Sequence, residues 1–343
     1  MEQQMNTPIL KNTIAEIFAN GKGILAMDES TPTCKKRFEA AGIPQTSEMY
    51  RQYRELLVTT SGLNESIGGA ILFDETIRQQ TDAGEPMAKA LMKAGIIPGI
   101  KVDMGAKPLP EFPTELVTEG LDGLRERLAE YKTMGARFAK WRAVITIGEG
   151  IPTDACIKAN VHALARYAGL CQEADIVPIV EPEVLMDGNH SMQQCYNVTE
   201  KVLKALFSEL YQFKIDLEGI ILKPNMVVAG KGCLIQNSVD EVAEATVNCL
   251  RSAVPASVPA IAFLSGGQSP KVAAEHLNTI NKNFKNRLPW IVAFSFARAI
   301  QQPALDAWKG EQSNVKEAQE ILSSRAKLAA AARRGEYSSS MEE

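Results

Sequence analysis

Histidine is scarce in this chain: three in 343 residues, at His162, His190 and His276, far apart in sequence. Such spacing offers no histidine-rich metal site. The six cysteines, Cys34, Cys156, Cys171, Cys195, Cys233 and Cys249, include no C-x-x-C pair. In a chain this long they read as reduced, mostly packed thiols. No apolar stretch approaches the length of a membrane span, and the opening Met1-Glu-Gln-Gln-Met-Asn-Thr-Pro lacks the layout of a signal peptide. A cytoplasmic location is therefore expected, with no membrane partner. Positive charge is not in excess, with 37 Lys and Arg against 41 Asp and Glu, a net charge of −4. Arg333–Arg334 near the C-terminus is too short for the electrostatic footprint of a nucleic-acid binder.

What the chain does have is rhythm. Apolar runs recur at Gly23–Met27, Gly69–Phe73, Ile97–Lys101, Phe138–Arg142, Val177–Glu181, Gly219–Lys223, Ala260–Leu264 and Ile291–Ser295. Segments of helical periodicity lie between them, clearest at Leu121–Met134, Thr153–Ala174, Ser191–Phe213, Val239–Ser252 and Pro270–Phe284. Thr153–Asp154 and Ser191 carry capping signatures. Strands alternating with helices imply parallel pairing, and eight such units predict an α/β fold, a single closed (β/α)8 TIM barrel. An open sheet with insertions is the alternative, but no Gly-x-Gly-x-x-Gly follows the first strand. Extra helices are expected across Thr31–Thr60, a surface loop over one barrel face at Lys107–Pro113, and a helix at Val315–Arg334. One domain, 1–335, is expected, with a mobile polar tail over 336–343.

Polar residues gather where the strands end, which is where barrels of this type place their chemistry. Lys223 closes the run Glu218-Gly-Ile-Ile-Leu-Lys223 and precedes Pro224. An ammonium at the end of an aliphatic strand is costly to desolvate, and a neutral amine attacks carbonyls to form a Schiff base. A free lysine is neutral only about once in 2,500 molecules at pH 7. Taken alone, Lys223 also reads as a strand-end lysine that snorkels to solvent. It has company: Asp28, Lys140, Glu181 and Glu183 stand at other strand ends and are candidates for proton transfer. The pairs Lys140/Arg142 and Glu181/Glu183 are two residues apart, so each pair shares a strand face.

Ser265-Gly266-Gly267 offers backbone N–H groups in a tight turn, and Ser295 with Arg298 adds a hydroxyl and a charged fork. Loops after the seventh and eighth strands are the usual phosphate site in such barrels. An ordinary loop is the alternative for the Ser–Gly–Gly turn by itself. A second set of cations, Lys101 and Arg142 with Lys36 and Arg37, suits another anionic group.

Six motifs in order, Gly23-Ile-Leu-Ala-Met-Asp28-Glu-Ser30-Thr, Gly99-Ile-Lys101-Val-Asp103, Phe138-Ala-Lys140-Trp-Arg142, Val180-Glu181-Pro-Glu183, Leu222-Lys223-Pro-Asn-Met226 and Phe263-Leu-Ser265-Gly-Gly-Gln268, together resemble class I (Schiff-base) fructose-1,6-bisphosphate aldolase. The resemblance runs from about residue 10 to 335. It implies reversible cleavage of fructose 1,6-bisphosphate to dihydroxyacetone phosphate and glyceraldehyde 3-phosphate, in glycolysis and gluconeogenesis, with no cofactor or metal. It assigns the imine to Lys223 and the main proton transfer to Glu181, supported by Asp28, Lys140 and Glu183. The C1 phosphate falls to Ser265, Gly266 and Arg298, the other end to Lys101, Arg142 and the Ser30/Lys36/Arg37 segment. Phosphorylated ketoses and trioses are the expected partners, and a homotetramer the expected assembly.

Two departures stand out. The family usually has glycine before the strand-eight arginine, where this chain has Ala297; its N–H reaches a phosphate only if the backbone angles suit a Cβ. The better-known animal members end in a tyrosine that helps move a proton, whereas this chain ends Ser-Ser-Ser-Met-Glu-Glu343 and no role falls to Tyr337. Rival readings are another Schiff-base barrel of transaldolase or deoxyribose-phosphate aldolase type, and an inert sugar-phosphate-binding scaffold. Only a bisphosphate substrate calls for two cation sets.

Overall fold

The computed structural model describes residues 7–342; the N-terminal residues read for a leader, 1–6, and the last residue of the tail lie outside them. Eight parallel strands close into a barrel: β1 (Gly23–Ala26), β2 (Ile67–Leu72), β3 (Ile97–Lys101), β6 (Phe138–Ile145), β7 (Val177–Val184), β8 (Ile221–Leu222), β9 (Ala260–Phe263) and β10 (Ile291–Phe296). Between β3 and β6 a separate antiparallel pair, β4 (Ala106–Pro108) and β5 (Leu116–Thr118), completes the strand count. The proline-rich segment is therefore the tip of a small hairpin rather than a plain loop. Thr118 Oγ1 donates to the Arg142 carbonyl at 2.7 Å and ties that hairpin to β6.

Strand alternation sorts the side chains. Along β6, Ala139, Trp141, Ala143 and Ile145 pack outward against the helices, while Phe138 faces into the barrel. Along β7, Val180 and Val184 pack outward and Val177 and Ile179 inward; on β8, Leu222 outward and Ile221 inward. The lower half of the interior is thus filled by aliphatic and phenyl groups. Continuing inward at the same period of two come Lys140, Arg142, Glu181, Glu183 and Lys223, so the barrel interior changes from apolar to ionic partway up.

Helix Thr7–Ile17, which the apolar runs did not reveal, closes the bottom. Leu10, Ile14 and Ile17, with Phe18, pack against the interior cluster of Ile24, Ile71, Phe138, Val177 and Ile221. Its close approach needs a glycine: a Cβ on Gly68 would lie 1.9 Å from the Ile17 carbonyl oxygen.

The outer helices begin where their caps say they should. Thr153 accepts from the Cys156 N–H ahead of helix Asp154–Glu173. Ser191 with Gln194 and Ser238 with Glu241 form capping boxes ahead of helices Met192–Gln212 and Val239–Ala253. Helices Thr31–Ala40 and Ser47–Val58 fill the gap between β1 and β2. Helix Val315–Arg334 ends at Gly335 in the left-handed region (φ 75°). Beyond it the tail folds back. Tyr337 is buried, its N–H donates to Asn278 Oδ1 at 3.0 Å and its hydroxyl to Glu342 Oε1 at 2.8 Å, and Glu342 pairs with Arg325.

Candidate active site

The upper ends of the strands surround a cavity of about 580 Å³. At its floor four charged groups form one chain. Lys223 Nζ lies 3.0 Å from Glu181 Oε1, Lys140 Nζ lies 3.2 Å from Glu181 Oε2, and Lys140 Nζ lies 2.6 Å from Asp28 Oδ2. All four residues are buried, none more than 7% exposed. The register explains the meeting: Lys101, Lys140 and Ile179 are aligned across β3, β6 and β7, and Ile179 pairs with Ile221 on β8. Glu181 and Lys223 each stand two residues further up, on the same inward face.

Burial and pairing pull the pKa values of Lys140, Asp28 and Glu181 in opposite directions. Burial would lower Lys140, yet Asp28 and Glu181 outweigh it and raise its pKa well above the ordinary lysine value. Burial would raise Asp28, but Lys140 and Lys223 bring its carboxyl down to about 2. Glu181 is likewise lowered despite burial, by Lys140, Lys223 and Arg142. Lys140 is therefore a fixed cation and Asp28 and Glu181 are anions at neutral pH. Glu181 lies between two amines, able to take a proton from a group that enters the cavity and return it.

A second ionic group forms the adjoining wall. Arg142 Nε donates to Glu183 Oε2 at 2.5 Å. Lys101 Nζ is 2.6 Å from Asp103 Oδ1 and 2.9 Å from the Asp103 carbonyl, while the other Asp103 oxygen accepts the Arg142 N–H at 3.2 Å. Asp103 thus positions both cations at this end, a task that its place at a strand end hinted at but did not specify.

The opposite wall is the turn after β9. Ser265, Gly266, Ser295, Ala297 and Arg298 line it. Gly266 and Gly267 both adopt positive φ, 59° and 96°. The turn is braced from behind: Gln268 Nε2 donates to the Ser265 carbonyl at 3.1 Å, and His276 Nδ1 lies 2.6 Å from Gln268 Oε1. Burial lowers the His276 pKa to about 4, so the ring is neutral at pH 7 and donates to the amide oxygen. The Ser295 hydroxyl is buried with no hydrogen-bond partner among the described residues. Arg298 opens helix Arg298–Trp308 and has no carboxylate partner among the described residues. Ala297 precedes that helix at φ −104° and ψ −90°, a ψ outside the α and β regions open to a residue with a β-carbon.

The structure does not bring all the candidates together. Ser30 lines the cavity with its hydroxyl 3.2 Å from Thr33 Oγ1. Lys36 is exposed on helix Thr31–Ala40, away from the lining. Arg37 points to Glu29, at 2.5 Å, and to Gln302. Glu29, which the strand-end reading passed over, also takes Arg54 at 2.9 Å and Gln301, and so secures the loop that carries Asp28 and Ser30. Gly267 is not among the lining residues; a Cβ on it would lie against the Arg298 and Lys231 side chains. Among the described residues no group of histidine, cysteine or carboxylate side chains is arranged to hold a metal ion. No helix among them is long and apolar enough to cross a membrane.

Fold and cavity together define a class: a closed (β/α)8 barrel with a buried lysine–carboxylate chain at the strand ends, set between two cation-bearing walls. A family model for fructose-bisphosphate aldolase class I matches residues 9–343. A probable fructose-bisphosphate aldolase class 1 from Xanthomonas campestris pv. campestris is 57% identical over 324 residues, 94% of this chain and 96% of the relative. Fructose-bisphosphate aldolase C from Carassius auratus is 48% identical, covering 96% of this chain and 91% of that one. The crystallised fructose-bisphosphate aldolase of Plasmodium falciparum superposes with a TM-score of 0.94 at 46% identity, covering 97% of this chain and 96% of that one. The chain belongs to the class I fructose-bisphosphate aldolase family.

Proposed function

We propose that this protein cleaves fructose 1,6-bisphosphate reversibly to dihydroxyacetone phosphate and glyceraldehyde 3-phosphate through an imine on Lys223. One observation carries the reading: a buried amine, 3.0 Å from a carboxylate, at the floor of a cavity with cations on two facing walls. In its free-base form Lys223 Nζ adds to the C2 carbonyl. Glu181, 3.0 Å away, holds the proton that Lys223 gave up on becoming neutral and passes it to the departing hydroxyl; water leaves, and a protonated imine remains. When Glu181 takes the C4 hydroxyl proton, the C3–C4 electron pair moves into the imine and becomes an enamine, and the aldehyde departs. Protonation at C3 and addition of water then release dihydroxyacetone phosphate and restore the amine.

Lys140, held as a cation by Asp28 and Glu181, stabilises negative charge that develops on the substrate hydroxyls. Glu183 orients Arg142. The C1 phosphate sits on Ser265, Gly266, Ser295, Ala297 and Arg298, where Gly266 and Gly267 shape the turn and a helix begins. Lys101, Arg142 and Ser30 take the other phosphate. Arg37 contributes by holding Glu29, and Lys36 has no contact that supports a binding role. The same reading makes the protein a cytoplasmic homotetramer.

Borohydride reduction in the presence of fructose 1,6-bisphosphate or dihydroxyacetone phosphate, followed by mass mapping, tests the assignment. A substrate adduct on Lys223 alone, absent from Lys223→Met, is expected. An adduct on another lysine, or none, overturns it.

A further inference from the structure

Lys231 has no part in the scheme above, yet it stands beside the strand-nine turn. The position a Cβ on Gly267 would take is 2.9 Å from Arg298 Nη2 and 3.0 Å from Lys231 Nζ. The two cations are thus no more than about 6 Å apart, on one residue of the turn. Like charges this close repel, and the only carboxylate on either among the described residues is Asp187, 2.9 Å from Lys231 Nζ and itself largely exposed.

Nor is Lys231 a loosely tethered surface residue. Its N–H donates to the Met186 carbonyl at 2.8 Å, and the Gly230 and Gly232 N–H groups donate to the carbonyls of His190 and Gly188 at 2.8 and 2.9 Å. These bonds clasp the loop after β8 to the loop after β7. The clasp depends on close backbone approach, because a Cβ on Gly230 would meet the Gly188 oxygen at 2.4 Å. The backbone is therefore fixed where the lysine stem reaches Gly267. Met186, from the same clasp, lies against Gly266.

We propose that Lys231 is a further anion-binding residue at this wall: it supports Arg298 in holding the C1 phosphate, and Asp187 competes with that phosphate for it. The inference rests on the phosphate reading of the Ser265–Gly267 turn and adds to it a cation on a different loop. An incoming dianion relieves the repulsion between Lys231 and Arg298, so binding draws on both charges. Lys231 acts on the phosphate and not on the reacting carbons, and its effect belongs in KM rather than kcat.

Steady-state kinetics of the full chain on fructose 1-phosphate and on unphosphorylated fructose test this, with Lys231→Met, Lys231→Arg, Asp187→Asn and Arg298→Ala. Lys231→Met is expected to raise KM for fructose 1-phosphate about threefold to fivefold, the range of a half-exposed charge pair, with kcat preserved. It is also expected to flatten the rise of KM with salt. Lys231→Arg keeps wild-type KM, Asp187→Asn lowers it, and kcat/KM for fructose stays unchanged by all three. If Arg298→Ala raises the fructose 1-phosphate KM while Lys231→Met does not, Lys231 is only the partner of Asp187 and the proposal falls. If neither variant raises it, the phosphate reading of the turn falls first and takes the proposal with it.

Discussion

Replacing Lys140 by Met removes one charge from the middle of the buried chain and keeps most of the stem. Two anions, Asp28 and Glu181, then face one cation, Lys223. Breaking a buried ion pair from one side costs about 3–5 kcal/mol, and Asp28 offers a check on that figure. Its carboxyl sits at about 2 against an ordinary value of 3.8, and it is 7% exposed. A depression of nearly two units corresponds to roughly 2.5 kcal/mol of stability, present above the unfolded value and lost as pH falls from near 4 through 2. In Lys140→Met the largest opposing influence is gone, and burial carries Asp28 above the ordinary range. The resulting penalty is complete at pH 7 and disappears as the carboxyl protonates on the way down to pH 4. Down to about pH 5 the wild-type contribution of Asp28 is flat, because its folded and unfolded forms are both ionised there. Urea unfolding of the two proteins should therefore show a gap of about 3–5 kcal/mol at pH 7, narrowing toward pH 4 by about 1.4 kcal/mol for each unit that Asp28 has risen. Adding Asp28→Asn should recover part of the loss at pH 7. A gap of equal size at both pH values would refute the argument and leave Lys140 as packing bulk alone.

Phe138→Ala should lower stability by about 3–5 kcal/mol with an unchanged denaturant slope, since the ring is fully buried between the barrel interior and the helix that closes it. Behind the phosphate wall, His276→Ala should raise KM for fructose 1-phosphate about twofold to fivefold through a loosened Ser265 turn. His276→Asn, which restores a neutral donor near the Nδ1 position, should return it, and the kinetics of unphosphorylated fructose should separate this from general destabilisation.

The barrel was legible because each strand begins as a short apolar run between helical segments, and the reasons for the errors are local. Phe138–Arg142 and Val177–Glu181 were cut short where the inward side turns ionic, yet the ladder continues to Ile145 and Val184. Hydrogen-bonded pairing does not depend on what the side chains carry. The apolar run Gly219–Lys223 is longer than its strand at the start, where Gly219 belongs to a 3-10 turn; the strand proper is Ile221–Leu222, and the Lys223 N–H still donates to the Val180 carbonyl at 2.9 Å. Charged strand ends identified Asp28, Lys140, Glu181, Glu183 and Lys223 as a group, because costly burial is visible in a sequence. Glu29 was passed over because its partners, Arg37, Arg54 and Gln301, come from three distant segments, and no local pattern encodes their meeting. For the same reason Lys36 and Arg37, adjacent in sequence, were grouped with a wall that neither lines. Lys231 reaches Gly267 through a clasp of backbone bonds between two loops, a contact with no periodicity to read.

Helix Thr7–Ile17 stoppers the base of the barrel among the described residues, so whatever enters at the strand ends leaves by the same mouth. On the imine scheme, the fragments of a cleaved sugar depart in order of attachment: the untethered aldehyde first, the piece still bonded to the protein last. Run in the other direction, synthesis has to start by loading the ketone, and an aldehyde that arrives early only stands in its way.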